Sequence, residues 1–326
     1  GEEVKGKILK TFENPSITTQ TFEHKLRTSA GGIKWVRWNV SYLNEEQLIG
    51  IGYDITDNKN NEKRLIESNK QLLEQNKDIT DSIYYAQRIQ QSILQTQDQL
   101  RDYFSNSFLL YKSKDIVSGD YYWFYEDDVY KYVAAIDCTG HGVPGAMMSM
   151  VANSMFKEVF MNRKISQPSD ILNALDEELE KSINKNQDAT FNDGMDVSLI
   201  RINKTTNELA FAGAFRSIFI SRGNEITELK GSRYPIGFYS GITKEYETQV
   251  FQLEKNDGVY LFTDGFIDQF GGEKNKKLNK SNFKELLSTI HEMDMEEQEA
   301  FLDYSFNNWK QDNDQTDDVL VIGIRV

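Results

Sequence analysis

The stretch YKYVAAIDCTGHGVPGA, Tyr130–Ala146, sets out the organisation of the chain. An apolar run, Val133–Ile136, reads as a β-strand and ends on Asp137. Two glycines, Gly140 and Gly142, then flank His141, and Pro144 falls where the first turn of a helix is expected. Glycine at those positions lets backbone, not side-chain bulk, come close to whatever Asp137 faces, so a backbone carbonyl could serve as a ligand there. The stretch therefore brings a strand end, a carboxylate and a helix start to one place.

Other carboxylates hold equivalent positions. Asp264 ends the strand-like GVYLFTD, and Asp317 with Asp318 immediately precedes VLVIGIRV. Asp120 follows Gly119 at the head of the strand-like DYYWF. Taken singly, each of these reads better as a turn residue or helix cap. Together they predict acids gathered at one edge of a sheet, where buried carboxylates raise one another's pKa unless a cation neutralises them. With one cysteine and three histidines in the chain, such a cation would be held by oxygen, which suits magnesium or manganese. Asp193 and Asp196, in FNDGMDVSLI, are left open, because a strand start already accounts for an aspartate there.

Composition narrows the function further. The chain has 326 residues, 39% of them hydrophobic, enough for more than one core. Acidic residues outnumber basic ones, 51 to 37, for a net charge of −14, which opposes binding to nucleic acid or to an anionic membrane surface. A lone cysteine, Cys138, excludes an internal disulfide framework. No apolar run approaches the ~20 residues that span a bilayer, so no direct membrane insertion is expected and the location is read as cytoplasmic.

Three regions differ in pattern. Residues 1–57 carry TFEHKLRT, GGIKWVRWNVSYL and LIGIGYDIT, which read as three antiparallel strands with a tight turn at Gly31-Gly32. Residues 58–104 are rich in Asn, Gln, Lys and Glu, and Leu65, Leu72, Ile79, Ala86, Ile93 and Leu100 recur every seventh position. That spacing predicts a helical coiled coil, read as a parallel homodimer or, alternatively, a lone connector helix. Its second seam is poor: Asn69, Asn76, Ile83, Gln90 and Gln97 in one register, Ser68, Gln75, Ser82, Ile89 and Thr96 in the other. Residues 105–326 group antiparallel-looking strands and separate helix pairs, an α+β layered domain, with Ser169 read as a helix cap.

Two resemblances follow from these motifs. GIGYDITDNK is similar to the end of a PAS sensor domain, so residues 1–57 would be its C-terminal part. VSGDYYWF, AIDCTGHGVPGAMMSM, LFTDGFIDQFGG and QTDDVLVIGIRV, in this order, resemble the bacterial branch of the metal-dependent protein serine/threonine phosphatases, the type 2C superfamily in its sporulation stage II E-like group. The resemblance implies two antiparallel β-sheets sandwiched between helix pairs, with a site for two Mn2+ or Mg2+ ions at one end. It implies metal ligation by Asp137 across both ions, by the Cys138 backbone, by Asp264 and Asp317, and by Asp120 through water, with Asp137 and Asp264 catalytic. Asp318 would stand behind the ligands, and His141 would be structural. Arg216, in FAGAFRSIFI where many relatives have a different segment, is left open between a strand-surface arginine and a contact for the substrate phosphate. The implied partner is a phosphorylated protein, in relatives often an anti-sigma-factor antagonist. Two alternatives stay open at this point: a catalytically silent phosphoprotein-binding module, and a metal-dependent phosphodiesterase.

Overall fold

The computed structural model describes residues 19–44, 47–183, 193–237 and 243–326. Its contacts divide the chain into two compact units, one up to Thr80 and one from Asp81. Among the described residues no helix is long and apolar enough to cross a membrane.

In the first unit, β1 (Thr19–Arg27), β2 (Ile33–Asn44) and β3 (Gln47–Asp54) form the expected antiparallel meander in the order β1-β2-β3. Gly31 turns the first hairpin with φ +85°, a conformation only glycine adopts without strain. The core is thin. Val40 and Ile55 are buried, whereas Ile33, Ile51 and Tyr53 are more than half exposed. The Asp-Ile-Thr motif ties this sheet to the helix that follows. Asp54 accepts from the Thr56 N–H and hydroxyl and from Lys34 Nζ at 2.7 Å, while Thr56 Oγ1 accepts from the Trp35 N–H. Lys34 and then Thr56 hold the Asp54 carboxyl below the usual carboxylate range.

Helix α1 (Thr56–Ile93) leaves Leu65, Leu72 and Ile79 exposed along one stripe. The expected continuation of that helix to residue 104 does not occur. Thr96 caps a separate short helix, α2 (Gln97–Tyr103), through a reciprocal capping box with Gln99. The break has a local cause. Gln95 docks on an edge strand, accepting from the Phe124 N–H and donating to its carbonyl, both at 2.8 Å, while the Tyr122 hydroxyl donates to the Gln95 carbonyl. Leu100, in the heptad by spacing, is instead fully buried between two sheets.

The second unit is a four-layer sandwich. Its strands are β4 (Ser107–Lys112), β5 (Asp120–Glu126), β6 (Tyr130–Cys138), β7 (Met195–Asn203), β8 (Glu208–Ala214), β9 (Ile218–Arg222), β10 (Glu225–Leu229), β11 (Gln249–Gln252) and β12 (Gly258–Phe262). A short helix α5 (Asp264–Asp268) and the two-residue strands β13 (Phe270–Gly271) and β14 (Lys276–Lys277) follow, and β15 (Val319–Arg325) closes the chain. One five-stranded antiparallel sheet runs β11-β8-β7-β6-β5 and the other β10-β9-β12-β15-β4. Helices α3 (Gly142–Glu158) and α4 (Pro168–Ile183) cover the first sheet, and α6 (Asn279–Ile290) and α7 (Met295–Lys310) cover the second.

Strand alternation sorts the side chains into layers. From β6, Val133 and Ala135 enter the core between the sheets, while Ala134 and Ile136 face α3 and α4. From β15, Leu320, Ile322 and Ile324 face inward, and Val319 and Val321 face α6 and α7. Ser169 lies inside the first turn of α4, not at its cap: Pro168 opens the helix, and the Ser169 N–H is taken by the Thr248 hydroxyl.

If Leu100 belongs to the sandwich core, Leu100→Ala costs about 2–5 kcal/mol of unfolding free energy, while Leu72→Ala in the exposed stripe costs under about 0.5 kcal/mol in the monomer. Urea unfolding of the two variants distinguishes the roles, and equal losses would return Leu100 to the helical stripe.

Candidate active site

The same alternation that fills the inner core delivers acids to one end of it. Asp120 pairs with Asp137 across β5 and β6, and Asp137 with Asp196 across β6 and β7. Residues paired directly across antiparallel strands share a face, so the three carboxylates project between the sheets at the rim of the core. From the opposite sheet, Thr263 follows β12, Asp264 opens α5, and Asp317 and Asp318 precede β15. The Thr263 hydroxyl donates to Asp120 Oδ2 at 2.6 Å and accepts from the Leu320 N–H, joining the sheets beneath the acids. Asp318 is buried and accepts from the backbone of Lys114 and Gly119, both at 2.7 Å, which fixes the loop leading into Asp120.

The glycine turn after Asp137 serves close approach of backbone. Gly140 has φ +83°, and its carbonyl lies where a Cβ on Gly145 or Gly119 would come within 2.2 or 2.4 Å. Only glycines there allow the turn, the start of α3 and the loop before β5 to meet. The Cys138 carbonyl lies in the same crowded region, 3.2 Å from the position of a Gly119 Cβ. The Cys138 thiol itself is buried, and burial followed by the Asp137 charge pushes its pKa up, so it is not a ready nucleophile.

Electrostatically the site is an excess of acid. Burial, then the neighbouring Asp137, raises the Asp120 pKa; burial also raises Asp137, against the lowering effect of Arg216. Burial brings Asp196 to about 6 and raises Asp317. Arg216 lies among them. It sits on the short link from β8 to β9, one of the links by which the chain crosses between the sheets, and its Nη2 is 2.5 Å from Asp137, 2.8 Å from Asp264 and 3.0 Å from Asp196. Arg216, left open between a strand-surface position and a phosphate contact, is thus engaged with the carboxylates. His141 is half exposed, with Nδ1 2.8 Å from Asp115 beside the glycine turn. Asp193 lies in the turn before β7, with its carbonyl against Gly237.

An open cleft of about 330 Å³ leads to the acids, lined by Asp137, Asp264, Asp317, Arg216, Arg233 and Phe215 among others. A larger cleft, of about 510 Å³ beside α6 and α7, is lined by residues such as Leu278, Leu286 and Trp309 and lies away from this cluster. As donors, the acids suit a hard divalent cation, since all are oxygen ligands bound for one end of a dry core. Their spacing, however, follows the guanidinium: among the described residues no three acidic, histidine or cysteine side chains already form a metal cage.

Asp196 is the member that the sequence left open. Its signal lay in strand parity, because Asp196, Ser198, Ile200 and Ile202 share one face and the last two are core residues.

The model of the stage II sporulation protein E (SpoIIE) family matches residues 128–326. Among solved structures, the SiaA-PP2C domain of Pseudomonas aeruginosa is 31% identical, with 77% of this chain and 98% of that one covered and a TM-score of 0.70. The PP2C phosphatase domain of SpoIIE from Bacillus subtilis, with a fragment of its regulatory domain, is 17% identical over 68% of this chain and 63% of that one, TM-score 0.56. A serine/threonine phosphatase of S. agalactiae is 15% identical over 68% and 97%, TM-score 0.51. At the last two identities the likeness is one of fold. No curated protein matches the chain.

Thr263→Val keeps the shape of the side chain but leaves Asp120 and the Leu320 N–H without their shared partner. It is expected to lower the unfolding free energy by about 1–3 kcal/mol, measured by chemical denaturation in chelator. An unchanged midpoint would mean that the hydroxyl does not join the two sheets.

Proposed function

Because the chain belongs to the SpoIIE family of PP2C-type serine/threonine phosphatases, we propose that it is a metal-dependent enzyme that hydrolyses phosphoserine or phosphothreonine on a signalling protein. The observation that carries this reading is the convergence of Asp137 and Asp196 from one sheet with Asp264 and Asp317 from the other at a single cleft, with Asp120, paired to Asp137, and Asp318 buried nearby. Two Mn2+ or Mg2+ ions held by these acids would supply charge for the phosphoryl oxygens and would activate a water near neutral pH.

The protein's own groups have separable tasks. Asp137 would be the ligand common to the ions, with Asp264 and Asp317 as further carboxylate ligands and Asp120 and the Cys138 carbonyl completing the set. Thr263 fixes the direction of the Asp120 carboxylate. Asp318 sets the loop from Lys114 to Gly119 and so the approach of Asp120. Arg233, exposed on the cleft wall, gives a phosphate an electropositive entrance. The partner is a phosphorylated protein of the anti-sigma-factor antagonist kind.

Regulation enters through α1. In its last turns Gln90 is buried, donates to the Ser118 carbonyl at 2.6 Å and to Ser149 Oγ at 2.9 Å, and accepts from the Ser118 N–H. Ser118 is two residues from Asp120, and Ser149 lies on α3, the helix that starts at the glycine turn. A rotation of α1 therefore pulls on both sides of the site. We assign the exposed stripe Leu65, Leu72 and Ile79 to a parallel homodimer, residues 1–57 to the end of a PAS-like sensor, and the poor second seam to two registers between which that sensor selects.

Asp137→Asn and Asp264→Asn should each leave the fold intact and reduce Mn2+-dependent phosphate release from a phosphoserine protein to under about a tenth, a barrier increase of at least ~1.4 kcal/mol. Retained turnover would remove the residue from the site. For the regulatory part, seven residues inserted after Glu74 keep the helical phase, whereas four rotate the downstream helix by roughly 40°. Only the four-residue insertion should change turnover, and equal rates in two dimeric proteins would make the helix a passive tether.

A further inference from the structure

The way Arg216 is held shows which of its properties the site uses. Its side chain is only 13% exposed, and a single nitrogen, Nη2, serves Asp137, Asp196 and Asp264. A guanidinium recognising one carboxylate ordinarily presents two parallel N–H groups to it. Here one nitrogen is shared by acids from β6, β7 and α5, and Nε is buried with no hydrogen-bond partner. The fork geometry is unused and the charge is used: Nη2 lies within 3.0 Å of a carboxylate oxygen of each of the three acids.

Its attachment permits one kind of movement. Phe215 has φ +65°, and the Arg216 N–H closes a tight turn onto the Ala214 carbonyl at 2.8 Å. The Arg216 carbonyl is walled in by Gly213 and Gly231, at either of which a Cβ would come within 2.1 or 2.2 Å of it. The backbone is thus pinned, and the charge moves only by rotation of the side chain. The open cleft provides the space into which it would rotate.

We propose that Arg216 is a tethered counter-cation that competes with the divalent ions for Asp137, Asp196 and Asp264, so that metal loading requires its guanidinium to leave the acids. This rests on the metal-dependent reading above and adds to it a built-in brake on metal affinity. In metal-free protein the guanidinium neutralises acids that would otherwise repel one another. Once a divalent ion occupies the same oxygens, the two cations repel at contact distance and the weaker charge is displaced.

The test is Mn2+ titration by calorimetry on the full chain, as wild type, Arg216→Gln and Arg216→Lys, with melting curves in chelator. Arg216→Gln should bind Mn2+ at least ~10-fold more tightly and melt lower without metal, while Arg216→Lys, which keeps the charge, stays within about threefold of wild type. Equal or weaker Mn2+ binding by Arg216→Gln would overturn the proposal. If that variant does not fold, wild-type protein decides. Phenylglyoxal should modify Arg216 slowly in chelator and faster with saturating Mn2+, read by peptide mass spectrometry, and a rate that is unchanged or slower overturns the proposal. A wild type that binds no Mn2+ at all would remove the metal-dependent reading together with this one, whereas binding without a gain in Arg216→Gln removes this one alone.

Discussion

Like charge held in a confined place is the constraint on which the rest of this structure turns. Carboxylates from both sheets are brought to the open end of an apolar sandwich, where burial and mutual repulsion disfavour their charged forms. Left to themselves they would push the sheets apart. What opposes this is specific: the Thr263 hydroxyl between Asp120 and the β15 backbone, two backbone N–H groups on Asp318, and the guanidinium of Arg216 on three acids at once. The aromatic and aliphatic layers behind them give the rigidity that makes such an arrangement affordable.

Much of this was legible in the sequence, because each acid follows or precedes an apolar run whose length identifies it as a strand. Asp137 after Val133–Ile136, Asp264 after GVYLF and Asp317-Asp318 before VLVIGIRV are three instances of the same signal. The pattern could not say which strands are neighbours. The place of Asp196 in the site accordingly follows from its pairing opposite Asp137, not from local pattern. The role of Arg216 is hidden for the same reason. Its position follows from β8 and β9 lying in different sheets, a fact of topology that local periodicity does not encode.

The helical segment misled in a different way. A seven-residue spacing continues from Leu65 to Leu100, yet the last member is a core residue of the sandwich, because Gln95 docks on the backbone of Phe124 and ends the helix first. Gln90, which reads as a weak position in a coiled-coil seam, is buried against Ser118 and Ser149. A polar residue at a seam position is ordinarily taken as a cost in stability. Here the same side chain has a second set of partners, and these lie beside the acid cluster. At position 90 the polar residue that weakens the heptad pattern is thus also the one that connects the helix to Ser118 and Ser149.

The central claim, that the acid cluster is a divalent-metal site which Arg216 fills when no metal is bound, is tested most directly by anomalous diffraction from crystals grown with and without Mn2+. The account predicts manganese peaks in contact with Asp137 and with Asp264 or Asp317, and an Arg216 guanidinium withdrawn from those oxygens into the cleft. It also predicts that the metal-free crystal keeps Arg216 on Asp137, Asp196 and Asp264. Manganese bound elsewhere, or Arg216 in the same position with metal beside Asp137, would contradict it.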